Sequence, residues 1–120
     1  MIEKVNLAEK LSLFDEQWSP KIVAELNDTC VKVVKFSNEF VWHHHDDEDE
    51  LFLVVSGRLR MQFRDGDVIV EPGELIVVPR GVEHCPIAEG ETHVVLIEPK
   101  TTLNTGNVRN ERTVDELDRI

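Results

Sequence analysis

Residues Val41–Phe52 read VWHHHDDEDELF: three histidines, five acidic residues, then the start of an apolar run. In an extended strand, residues i and i+2 point the same way, so His43 and His45 face together and Val41 joins them. Trp42 and His44 face the other side. Two imidazoles so placed can meet one metal ion. Glu50 opens the apolar stretch ELFLVVSG. If Asp46, Asp47, Glu48 and Asp49 form a turn, its carboxylate comes back beside the two histidines. The four turn acids read as a solvated loop whose negative field favours cation entry. His44 reads as a bystander.

Outward from this stretch the pattern is β. KIVAEL and VKVVKF flank Asn27 and Asp28, as in a hairpin. RLRMQFR alternates strictly: Arg58, Arg60, Gln62 and Arg64 share one face, and Leu59, Met61 and Phe63 share the other. The arginine face is expected to meet solvent. Asp65-Gly66 supplies a hairpin turn. VIVEPGELIVVPRGVEH is two β runs broken at Pro72-Gly73 and stopped by Pro79 and Gly81. A turn is expected at Glu89-Gly90-Glu91, followed by a last strand, THVVLIEP. Short helices are expected at both ends: NLAEKLSLF at the start, and TVDELDRI at the finish, where Thr113 and Glu116 have capping-box spacing. Many short strands with frequent turn signals indicate an all-β antiparallel sandwich or barrel.

The chain has 120 residues, enough for one domain (1–120), and 41% hydrophobic residues, enough for a real core. A net charge of −11 disfavours nucleic acid and anionic membrane surfaces as partners. No apolar run approaches the ~20 residues of a membrane span. The first residues lack the unbroken apolar region of a signal peptide, so the cytoplasm is the expected location. Cys30 and Cys85 make no disulfide framework and read as buried thiols.

His84 lies far along the chain with no evident packing reason to be there. His43-x-His45, four residues, Glu50, six residues, Gly57, and then Gly73, five residues, Pro79-x-Gly81, two residues, His84, together resemble the two motifs of the cupin superfamily. The nearest likeness is to small single-domain cupins of the mannose-6-phosphate isomerase-like type, a label of fold rather than of substrate. Two positions depart from the pattern: Ser37 stands where a leading Gly is expected, and Ala88 where an Asn is expected. Ala88 cannot make the hydrogen bonds that amide would make.

The resemblance implies a single antiparallel jelly-roll barrel of about six to eight strands. Its core would span about residues 20–99, with terminal segments 1–19 and 100–120. It also implies that His43, His45, Glu50 and His84 converge on one divalent transition metal. Three imidazoles and a carboxylate suit Fe, Mn, Ni or Zn better than Ca or Mg, which want oxygen shells. Coordination positions left over would take a small-molecule substrate. The expected function is a small-molecule metalloenzyme of isomerase, lyase or dioxygenase type. Its substrate would be a chelating sugar derivative, keto acid or diketone. The alternative is a non-catalytic binding module or sensor for a small polar ligand. Phe52, Met61, Phe63 and His93 are the candidate pocket residues. Leu51, Leu53 and Val55 face outward if Glu50 faces in, yet they are apolar. Either the terminal segments cover them or a second subunit does, and the resemblance favours a homodimer.

Overall fold

The structure, a computed structural model, describes residues 2–120. One short helix, α1 (Leu7–Leu11), precedes seven antiparallel strands among the described residues. These are β1 (Lys21–Leu26), β2 (Thr29–Glu39), β3 (Glu50–Ser56), β4 (Leu59–Phe63), β5 (Gly66–Val70), β6 (Leu75–Val78) and β7 (His84–Pro99). The order β1-β2-β7-β3-β6 forms one sheet, and the β4–β5 hairpin joins it through β7. The fold is nearly all-β and antiparallel, as the alternation predicts.

β7 organises the molecule. Its first half pairs with β4 (Phe63↔His84 to Leu59↔Ala88), and its second half with β3 (Val54↔Val94 to Leu51↔Ile97). β2 follows it along both halves. The turn expected at Glu89-Gly90-Glu91 is therefore a correction: the chain bends there without reversing. Between the pairs Phe36↔Thr92 and Asn38↔Ala88, β2 has one residue where β7 has three, so the bend is a bulge carried by β7. Gly57, at the end of β3, takes φ 86°, and a Cβ there would lie 2.6 Å from Thr92 Oγ1. Only glycine fits that crossing.

Two apolar layers result. The inner one gathers Phe36, Phe52, Val54, Leu59, Met61, Val94 and Leu96. The outer one packs Leu11 and Phe14 of the N-terminal segment on Val33 and Val95, with Leu53 and Ile120 at its margin. The sheet is thus buried on both faces here, which is why Val94–Ile97 of β7 is an unbroken apolar run and why even Lys32 and Lys35 of β2 are buried. Arg58 and Arg64 are exposed and Leu59 and Met61 are buried, in line with the strict alternation of β4.

The helix expected over 113–120 does not form, and among the described residues the short N-terminal helix stands alone. Thr113 Oγ1 accepts from Asn110 N and meets Thr105 Oγ1 at 2.8 Å, while Val114 N donates to Asn104 Oδ1. Further on, Ile120 N donates to Ile22 O and Ile22 N to Asp118 O, which draws the end of the chain out alongside β1. These contacts consume the groups a helix would use. No described helix is long and apolar enough to cross a membrane.

Candidate metal centre

Four side chains meet inside the sheet. One ligand atom from each of His43, His45, Glu50 and His84 lies within 4.8 Å of the others, and all four residues are buried. Glu50 is the first residue of β3 and His84 the first of β7. His43 lies outside the regular strands but bridges to His84, with His43 N donating to His84 O at 3.0 Å and His84 N to His43 O at 2.9 Å. His45 is held by its carbonyl, which accepts from Gly81 N at 2.7 Å. The Pro79–Gly81 loop thus carries His84 and fixes His45 together. The acidic turn is tied to the same loop: Asp49 accepts from Arg80 N at 2.8 Å and from its guanidinium.

The ring orientations are set from behind. His43 Nδ1 lies 2.8 Å from Val41 O and His84 Nδ1 lies 2.9 Å from Val82 O. A carbonyl there requires Nδ1–H and leaves Nε2 as a lone pair. His45 Nε2 and His84 Nε2 lie 2.9 and 3.2 Å from Glu50 Oε1. All three of these atoms are buried and lack a well-directed hydrogen bond. Buried polar groups without partners are rare and costly. Convergent imidazole and carboxylate donors of this kind fit a divalent transition ion.

The electrostatics agree with that fit. Burial, then the neighbouring His84, pushes the His43 pKa down to about 4, so this ring is neutral at pH 7. Burial works against ionisation of Glu50, yet its close polar neighbours, His45 and His84 first, outweigh it and hold its pKa well below the ordinary range. Neutral imidazoles and an ionised carboxylate are the ligating forms.

Beside His43 and Glu50, which line it, lies a cavity of about 30 Å³, room for about two waters. Its walls include Trp18, Phe36, Phe40 and Phe52, and its polar edge includes Glu98 and Asn104. Trp18 stacks on Phe36 and Phe40 at ring-centre distances of 4.3 and 4.7 Å. Of the four pocket residues expected from sequence, Phe52 lines the cavity. Met61 is fully buried in the inner layer, and Phe63 packs at its edge. His93 lies elsewhere: it borders a surface cleft with Leu11 and Lys35 and sits 3.4 Å from Glu91. It is nine residues from His84, so along a continuous strand it must face the opposite side.

Sequence reasoning missed two features. One is the buried pair Lys32–Glu98, at 2.8 Å, behind Glu50. Two opposite charges interrupting otherwise apolar strands were the signal for it. The other is the segment 101–113, which straps the metal loop. Asn107 N donates to His44 O, Asn107 Oδ1 accepts from His44 N, and Thr101 Oγ1 donates to Glu48. No periodicity marks it.

Residues 32–99 match the cupin domain family, and the chain belongs to that family. Acireductone dioxygenase of Bacillus velezensis is 34% identical over 114 residues, covering 79% of this chain. The Bacillus subtilis protein YdbB, of uncharacterized function, is 38% identical over 63 residues, or 52% of this chain. The chain spans 64% and 56% of the length of these two relatives. A solved cupin-2 domain protein from Shewanella frigidimarina is 47% identical, with a TM-score of 0.79 over 80% of this chain and 94% of that one.

Proposed function

We propose that this cupin holds one divalent transition metal through His43, His45, Glu50 and His84 and acts as a small-molecule dioxygenase. Its substrate is a molecule that chelates the ion through two oxygens, of the reductone, diketone or keto-acid kind. The observation that carries the reading is the convergence of buried, unpartnered His45 Nε2, His84 Nε2 and Glu50 Oε1, next to a narrow cavity that Glu50 and His43 line. The likeness to acireductone dioxygenases supports the dioxygenase class over isomerase or lyase. The likeness to mannose-6-phosphate isomerase-like cupins brings no substrate with it.

The ion, when bound, supplies a Lewis-acidic, redox-capable centre with positions left over by four protein donors. The chain does the rest. Val41 O and Val82 O aim the imidazoles, Lys32 and Glu98 brace Glu50, and the aromatic wall excludes water and selects a slim molecule.

The test is reconstitution of the metal-free protein with Fe(II), Mn(II), Ni(II) or Zn(II). Each form is then screened against reductones, diketones, keto acids and sugars, with O₂ uptake and product mass recorded. Uptake coupled to product, and lost in His45→Ala, is the expected result. Turnover without O₂ moves the assignment to isomerase or lyase. Saturable binding without product moves it to a sensor.

We also propose that the protein is a homodimer. The N-terminal segment covers Leu53, but Leu75 and Val77, beside it on the edge strand β6, are 56% and 50% exposed. An apolar edge is a pairing surface unless something covers it. A monomer mass by light scattering at micromolar concentration removes this assignment.

A further inference from the structure

Seven arginines occur in the chain. Six have a carboxylate within 4 Å: Arg58 with Glu71, Arg60 with Asp67, Arg64 with Glu83, Arg80 with Asp49, Arg109 with Asp115 and Arg119 with Glu25. The seventh, Arg112, has none among the described residues. In a protein with 24 acidic residues and a net charge of −11, this is a selective exception.

Its position is specific. Its guanidinium carbon lies 5.6 Å from the Trp18 ring centre and 6.0 Å from that of Phe40, two walls of the metal cavity. Phe40 in turn meets the His43 ring edge-on at 5.4 Å. One aromatic ring therefore separates Arg112 from a metal-directed imidazole. Arg112 is half-buried and lies beside two of the rings that wall the cavity, Trp18 and Phe40. Its backbone is fixed: Arg112 N donates to Asn110 Oδ1, and Arg112 O accepts from Asn104 Nδ2. The side chain itself forms no hydrogen bond among the described residues. A planar guanidinium held over aromatic rings, with its N–H groups free, is suited to bidentate recognition of a carboxylate.

We propose that Arg112 reads a carboxylate on the ligand, so that the metal site takes slim chelators with an anionic tail rather than neutral chelators. This rests on the metal-site reading above. The narrow cavity takes the chelating head, and the tail runs past Phe40 to Arg112. The surrounding negative charge opposes a dianion more than a monoanion, which favours a carboxylate over a phosphate. Arg112 is then the charge that reverses the global repulsion at the one place where the ligand enters.

The test uses the nickel-loaded 120-residue chain and two probes: acetohydroxamate, whose methyl tail is uncharged, and succinic monohydroxamate, the same chelating head with a terminal carboxylate. Calorimetry should show the second binding about 10-fold tighter or more, the scale of a charge-assisted pair. Arg112→Gln should abolish that preference and leave acetohydroxamate affinity unchanged, while Arg112→Lys keeps part of it. No preference in the wild type, or the same preference in Arg112→Gln, overturns the assignment. So does an equal loss of both probes in Arg112→Gln, which marks a packing role. Failure of acetohydroxamate itself to bind the nickel-loaded wild type overturns the open metal site and this assignment with it.

Discussion

Lys32 Nζ lies 2.8 Å from Glu98 Oε1, while Glu98 Oε2 is buried without a hydrogen-bond partner and feels the Glu50 charge. Two buried carboxyl groups coupled in this way favour a state in which one of them carries a proton. Glu98 holds it: burial, then the Glu50 charge, raises its pKa well above the ordinary range. Glu50 stays ionised and ready for a metal. A Gln at 98 supplies an N–H to Glu50 and a carbonyl to Lys32 without any proton. Glu98→Gln is therefore expected to keep metal affinity within a few-fold. Glu98→Ala leaves both neighbours unpartnered and should weaken it by about 10–100-fold. Competition with a chromogenic chelator measures both.

Gly106, in the strap 101–113, touches the loop that carries His43 and His44. It takes φ 55°, and a Cβ there would overlap the His44 carbonyl oxygen and lie 3.1 Å from the His43 ring. Gly106→Ala must push the strap away from a backbone atom that has no room to yield. The expected cost is about 2 kcal/mol of stability, together with a drop in metal affinity of about 10-fold. Urea titration and metal analysis of the same preparation check the two effects. Unchanged metal affinity would show that the strap does not support the histidines.

His43 makes the metal-free protein acid-sensitive. Its folded pKa of about 4 lies below the 6.5 of an unperturbed imidazole. Between those values the unfolded chain binds more protons, so stability rises with pH across the window and is lost as pH falls from 6.5 toward 4. The shift corresponds to about 3 kcal/mol. In chelator-treated protein, the urea midpoint of the wild type should fall through this window, and His43→Gln should lack that part of the fall.

Cys85 should be inert at neutral pH. It is fully buried, and burial, then the nearby Glu39, raises its pKa to about 11. The thiolate is the reactive form, so its population at pH 7 is negligible. A thiol-reactive dye should label it only after urea is added. Rapid labelling of the native protein at Cys85 would show that β7 opens at its start.

Local pattern was enough for the strand alternation of Leu59–Phe63 and for the facing of His43 with His45. The two motif spacings pointed to Glu50 and His84 as their companions. Each of these is a relation of period or short spacing, which a strand transmits directly to side-chain direction. His93 needed one further step. A turn expected at 89–91 interrupts the count from His84, whereas the continuous β7 carries it through and turns His93 outward. The remaining features depended on tertiary contact. Thr113 to Glu116 has the spacing of a helix start, but hydrogen bonds from Asn104, Thr105 and Asn110 outcompete a weak local preference. Lys32 finds Glu98 from 66 residues away, and Arg112 comes to rest over Trp18 and Phe40. Such pairings have no period to be read, because they are decided by which surfaces the folded sheet brings together. The four converging residues His43, His45, Glu50 and His84 were legible one by one, while the Lys32–Glu98 pair and the seat of Arg112 belong to the tertiary fold alone.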